Sequence, residues 1–408
     1  LAQCTEEKPM LYYYKGYYLH CMGSTTEAKA VYETAETCSP LYCFPNKLED
    51  IAVLKDAIAA CSDGAKAYYY LGNLYYDKLQ FDRAVALWAE SEKRDDSFPT
   101  VHRNLAIAYY NKKKDPARAQ EELERAYELD ETDARVFLEL DQLYKKLEVP
   151  FEQRIQNYEK HPEVIEERDD VRIEYITLQN LLGNYKKAYE SIMSHTFRPW
   201  EGAEGKITTQ YKIALLEMAK ECIDVKEYGQ AKDYLEKALR YPENLGEGRL
   251  EGTKDNHIYY YLGICNKALG KEQEAHGYFE RASLGDIEPA GVMYYYDQPA
   301  DMILYQGLAK RELGKEKEAR SRFFKLLDYG EQHLNDEMRI EYFAVSLPDF
   351  LIFEDDLNRK NKAHCWYLMG LSSLGLGELQ KAEGFFDKAL SYDANHQNAR
   401  MYRKMTLK

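Results

Sequence analysis

The stretch YYYLG occupies residues 68–72 and returns unchanged at 259–263, with a near copy, YYYKG, at 12–16. Each glycine opens the same downstream series. Twelve residues after Gly72 stands Ala84, then Trp88, then Ser91. From Gly16 the series is Ala28, Tyr32, Ala35 and Pro40, and from Gly263 it is Ala275, Phe279 and Ala282. Gly307 leads to Ala319 and Phe323, and Gly370 to Ala382, Phe386 and Ala389. Small and large side chains in fixed alternation let two antiparallel helices interlock, and their return along one chain is the mark of a repeat array.

Weaker copies fill the intervals. Ala106 stands 34 residues after Gly72 and leads, with one residue inserted, to Ala119, Leu123 and Ala126. Helical patterns over residues 171–193 and 207–241 carry Ala188 and then Ala231, Leu235 and Ala238 at the corresponding places, while 134–170 is helical but degenerate. Leu48, Ile51, Ala52, Leu54 and Ile58 mark an amphipathic spacer helix outside the repeat. Turn residues such as Asp63 with Gly64, Gly183 with Asn184, and Gly314 separate paired helices.

The pattern resembles the tetratricopeptide repeat: an aromatic, Leu-Gly and Tyr on the first helix, Ala and an aromatic on the second, Pro after it. The expected fold is therefore all-α, a right-handed α-solenoid of about eight or nine helix hairpins with inserted loops. Three parts are expected: 1–64 with the first repeat and the spacer, 65–196 with central repeats, and 197–408 with repeats carrying the long loops.

Composition agrees with a continuous helical stack. Apolar residues make up 45% of the 408, enough to pack an extended core, and no run reaches the about 18 apolar residues of a membrane span. The 70 Asp and Glu outnumber the 55 Lys and Arg, and a net charge of −15 repels phosphate backbones, which argues against nucleic acid. Eight cysteines lack paired spacing and read as reduced core residues; His20, Cys21, Cys38 and Cys43 leave zinc only as an alternative, on irregular spacing. The opening LAQC has no basic or apolar segment before it, so the expected setting is cytoplasmic. No nucleophile motif or phosphate loop suggests an enzyme or a cofactor, and His102, His161, His257 and His276 fall at ordinary helical positions.

The resemblance implies a concave wall made by the first helix of each pair. On that implication the first tyrosine of each triplet (Tyr12, Tyr68 and Tyr259, with Trp366) is core, and the second (Tyr13, Tyr69, Tyr260 and Tyr367) forms a ladder facing the groove. The alternative is that all of them are core. Asn73, Arg103, Asn104 and His257 are further groove positions. Asn73 and Asn104 stand where some tetratricopeptide domains hold a chaperone's C-terminal carboxylate, but Tyr69, Ala134 and Leu138 occupy the places where cations are needed, so that ligand is rejected.

Four loops break the rhythm, at 197–206, 241–252, 288–301 and 345–361. Each joins the second helix of one pair to the first of the next, so all four are expected along one edge. Trp200, Glu201, Glu204, Asn244, Glu247, Arg249, Tyr295, Asp297 and Asp301 combine aromatic platforms with hydrogen-bonding groups of the kind that hold sugars or peptide ends. Helix caps and solvated turns are the plainer reading.

Phrases such as CFPNKLEDI, RNLAIAYYN, FRPWEGAEG, YPENLGEG, YYYDQPADMI and SLPDFLIFEDDLNRKN resemble the C-terminal half of large bacterial tetratricopeptide proteins. Those proteins carry an upstream β-rich domain similar to sugar mutarotases. WEGAEG departs from the WEGGEG expected there, which questions a close backbone approach at Ala203. The resemblance implies a scaffold for a protein or peptide partner, or for an upstream domain of the same polypeptide, with a carbohydrate-acting component as the alternative.

Overall fold

The computed structural model describes residues 8–200, 202–291, 298–339 and 352–407. All regular structure among them is helical. Two compact units divide the chain, Leu1–Leu147 and Glu148–Lys408. In the first, three hairpins pair α1 (Pro9–Cys21) with α2 (Thr25–Thr37), α4 (Lys66–Asp77) with α5 (Phe81–Glu92), and α6 (Pro99–Ala108) with α7 (Pro116–Leu129). The expected spacer is α3 (Leu48–Ala60), and α8 (Ala134–Lys146) ends the unit. The second begins with α9 (Phe151–Lys160) and α10 (Pro162–Glu167). Five hairpins follow: α11 (Asp169–Leu181) with α12 (Tyr185–Met193), α13 (Lys206–Asp224) with α14 (Tyr228–Ala238), α15 (Asn256–Ala268) with α16 (Glu272–Ala282), α17 (Met302–Glu312) with α18 (Glu316–His333), and α19 (Leu357–Leu376) with α20 (Leu379–Tyr392). A single helix, α21 (Gln397–Met405), closes the sequence of elements.

Why the repeat needs its glycine is visible in five hairpins at once. A Cβ placed on Gly72 would lie 2.5 Å from the Trp88 ring, and one on Gly263 or Gly370 would lie 2.5 Å from Phe279 or Phe386. Gly16 meets Tyr32 and Gly307 meets Phe323 in the same way. The large ring of the second helix thus lies flat on bare backbone of the first. Ala28, Ala84, Ala275, Ala319 and Ala382, all at most 1% exposed, let the helices approach on the other side. This interlock is the tetratricopeptide-type hairpin.

The copy with one extra residue solves its register locally. After Ala108 the helix widens into a π turn over Tyr109–Lys113, so the surplus residue is absorbed and Ala119, Leu123 and Ala126 still reach the core. Hairpin turns share another device. Each of the eight carries one residue with positive φ: Gly23, Gly183, Gly270, Gly314 and Gly377, but Leu79, Lys114 and Lys226 in the other three. At Lys226 (φ 65°) the bonds Lys226 N–H to Ile223 O and Glu227 N–H to Cys222 O close the turn that glycine makes elsewhere without crowding its Cβ.

Between repeats, polar side chains cap the next helix. Glu36 on α2 accepts the backbone N–H of Lys66 at 2.7 Å and of Ala67 at 3.0 Å, at the start of α4, and also the Tyr13 hydroxyl at 2.7 Å. A carboxylate on the unpaired N–H groups of a helix start favours both charge and hydrogen bonding. No described helix is long and apolar enough to cross a membrane.

Candidate functional site

The tyrosine ladder is corrected by burial. Tyr13, Tyr69 and Tyr367 are 0%, 6% and 4% exposed, and Tyr260 is half-buried against Tyr261, Phe279 and Tyr305. The first tyrosines, Tyr12, Tyr68 and Tyr259, and Trp366, expected in the core, are all half-buried. The cause is the neighbouring repeat. Tyr69 meets Phe98, which precedes α6, edge-on at 5.4 Å, and Tyr13 meets Tyr70 of α4 at 5.8 Å, so the second ring is covered by the next element along. The first rings lie along the hairpin seam, where cations cover them: Arg94 over Tyr68 at 4.1 Å, Arg281 over Tyr259 at 5.9 Å and Lys388 over Trp366 at 4.1 Å.

The two asparagines are not fully buried. Asn73 on α4 and Asn104 on α6 are half-buried and joined, Asn104 Nδ2 donating to Asn73 Oδ1 at 3.0 Å. Trp88 Nε1, a group that only donates, gives a second bond of 3.0 Å to the same oxygen and so fixes which way the Asn73 amide points. No described protein group accepts from Asn73 Nδ2. Beside them Arg103 forms a fork on Glu139 of α8, with two bonds of 2.6 Å; Glu139 is 1% exposed. The guanidinium is thereby committed to the scaffold. Ala134 and Leu138 are both buried.

In the second unit the first two loops meet. Phe197 N–H donates to Asn244 O at 2.8 Å, and Asn244 Nδ2 bonds the carbonyls of Ile192 and His195, each at 2.8 Å. Gly246 (φ 70°) comes so near the Phe197 carbonyl that a Cβ would lie 2.5 Å from it. Gly205 N–H donates to Glu247 at 2.9 Å, Gly202 N–H donates to Glu204 at 2.8 Å, and Ala203 is 2% exposed. Asn244 is therefore a loop clip. Glu247 Oε1 is buried without a hydrogen-bond partner, and burial, with the charge of Glu204, raises its pKa. Trp200 stands 39% exposed in the same loop. Arg249 is drawn off to Asp255 at 2.8 Å, which also holds Lys212 at 3.3 Å. Glu201, Tyr295 and Asp297 lie outside the described residues, as do parts of the third and fourth loops.

Asp301 and His257 belong to the interior instead. Asp301 accepts the Tyr402 hydroxyl of α21 at 3.0 Å, and burial raises its pKa. His257 packs on Tyr305, and burial together with Lys212 and Lys220 depresses its pKa. The helix α21 reaches back to four helices: Gln397 bonds Gln210 of α13, and Tyr402 packs on Tyr305 of α17, Tyr367 of α19 and Phe386 of α20. Tyr367 is thus roofed by α21 rather than open to a ligand.

Sequence reading also missed His102. Buried on α6, it meets Glu122 of α7 at 2.8 Å, with Glu92 at the end of α5 nearby. Positions 92, 102 and 122 share no motif spacing, so nothing in the one-dimensional pattern joins them.

No family model matches the sequence. Among solved structures, YrrB, a tetratricopeptide protein with an unusual peptide-binding site, aligns over 56% of this chain and 89% of its own, at 14% identity and TM-score 0.32. The Naa15/Naa10 complex bound to HypK-THB aligns over 98% of this chain and 60% of the other, at 12% identity and TM-score 0.40. A tetratricopeptide repeat protein from Parabacteroides merdae aligns over 68% and 93%, at 15% identity and TM-score 0.29.

Proposed function

We propose that the protein is a non-catalytic interaction scaffold that receives an extended peptide segment on the inner helices of its first unit, at Asn73 and Asn104. The partner is a separate protein or a domain carried upstream in the same polypeptide. One observation carries the reading: Trp88 and Asn104 both occupy Asn73 Oδ1, which leaves the Asn73 amide nitrogen as an oriented donor on a half-buried surface. A peptide carbonyl is the matching acceptor, and an amide already held in place loses little freedom when it binds.

Peptides selected from a random display library on the full chain test this. The double variant Asn73→Ala/Asn104→Ala is expected to weaken their binding at least about tenfold in calorimetry, the loss of one oriented hydrogen bond together with the side chain that holds its donor in place, with the helical circular dichroism kept. Equal affinity for wild type and variant would remove the assignment.

A second reading is favoured by the loop junction. Trp200 and exposed Glu204 put an aromatic face and a carboxylate on a loop that meets the second loop through Gly205 and Glu247. That combination suits a sugar, whose hydroxyls donate to a carboxylate while its ring stacks. Titration of oligosaccharides against wild type and Trp200→Ala decides it, and unchanged weak heats in both would end the sugar reading.

A further inference from the structure

The three side chains gathered between α5, α6 and α7 pose an electrostatic question. His102 Nε2 faces the backbone carbonyl of Asp96 at 3.0 Å. A carbonyl only accepts, so Nε2 carries a hydrogen. In the neutral ring Nδ1 then presents a lone pair, and what it faces at 2.8 Å is a carboxylate oxygen of Glu122. Two acceptors at that distance repel unless a proton on Nδ1 bridges them, making the pair an ion pair, or a metal ion binds both. His102 is 2% and Glu122 7% exposed, so water does not screen the contact. Glu92 adds a second carboxylate, and the donor atoms of all three lie within 4.8 Å of one another.

We propose that this cluster is a divalent metal site, with Glu92, His102 and Glu122 as ligands to an ion of the Zn2+ class. Charge favours the ion over a proton. One proton on the ring leaves the trio at −1, whereas a dication with neutral imidazole and two carboxylates closes to zero. The donor set of one imidazole nitrogen and two carboxylate oxygens suits borderline first-row ions, and three protein ligands with water in the fourth place is a common zinc arrangement. The Asp96 carbonyl on the far ring nitrogen is the partner that fixes the tautomer of a ligating histidine. Half-buried Glu92 leaves a solvent side for the ion to pass and for a water ligand.

The site would tie three successive helices of the first unit together, so its reader is stability as well as metal content. The full chain is stripped with chelator and titrated with Zn2+; one ion per chain is expected, together with a rise in Tm. X-ray absorption of the loaded protein is expected to show only nitrogen and oxygen scatterers at about 2.0–2.1 Å. Glu92→Gln, at the exposed side of the cluster, is expected to keep the metal-free Tm of wild type and to weaken Zn2+ at least about tenfold. Cys43→Ser is expected to leave the affinity unchanged. A sulfur shell at about 2.3 Å, an equal affinity in wild type and Glu92→Gln, or no stoichiometric binding would each overturn the assignment.

Discussion

Adding one methyl group to the hairpin α19/α20 is expected to act with opposite sign at two glycines. At Gly370 the new Cβ would stand 2.5 Å from Phe386 Cε1, 2.6 Å from Cδ1 and 3.0 Å from Cζ. Ordinary contact begins near 3.4 Å, so the ring must retreat by most of an ångström. It has no room to do so. Phe386 is fully buried, stacked on Tyr402 at 6.4 Å and tilted against Tyr367 at 6.3 Å. Overpacking of this kind costs about 1–3 kcal/mol, against which alanine regains about 0.5–1 kcal/mol of helix propensity over glycine. The net expectation for Gly370→Ala is a loss of about 1–2 kcal/mol. At Gly384, mid-helix in α20, a Cβ would meet nothing within 4 Å, so Gly384→Ala keeps only the gain of about 0.5–1 kcal/mol. Hydrogen exchange of the α19 and α20 amides reads the local stability directly, where a global midpoint could blend two units. Protection should fall in the first variant and rise in the second. Equal signs would refute the ring-on-backbone interlock as the reason for the repeat glycine.

Three further outcomes follow from single residues. His364 donates Nε2–H to Ala290 O at 2.9 Å, and burial depresses its pKa from 6.5 to about 4. The folded state therefore refuses a proton that the unfolded state accepts; the stability present above pH 6.5 is lost as pH falls towards 4, by up to about 3 kcal/mol, and denaturation midpoints of His364→Gln should be flatter over that window. Glu36→Ala removes the cap on α4 and the acceptor of the Tyr13 hydroxyl, and should cost about 1–2 kcal/mol in urea unfolding, with Tyr13→Phe costing less. Lys226→Gly should stabilise by up to about 1 kcal/mol, because the turn already holds φ at 65°; a destabilised variant would show that the lysine side chain matters more than its backbone.

The sequence was informative where the physics is local. A glycine, an alanine and an aromatic at fixed spacing imply one interlocked pair of helices, and the single surplus residue after Ala106 was legible as an insertion, although its form as a π turn at Tyr109–Lys113 was not. Phase within the tyrosine triplet was misread because it depends on a neighbour: Phe98 covers Tyr69, and no pattern inside α4 announces that. The reach of α21 back to Gln210, Asp301 and Tyr305 is likewise invisible in sequence, since those partners lie about a hundred to two hundred positions away. Of the four loops, the first and second meet, and the third is tied to α19 through His364 and Ala290. Asn73 and Asn104 stand out in the sequence as groove positions, but the bond that joins them and the donor from Trp88 that orients them emerge only with the fold.

Amide hydrogen exchange of the full chain, with and without a selected peptide, tests the central claim most directly. The account predicts new protection in α4 and α6, around Asn73 and Asn104, with the loops at 197–206 and 241–252 unchanged. Protection confined to those loops, or spread over neither, would contradict it.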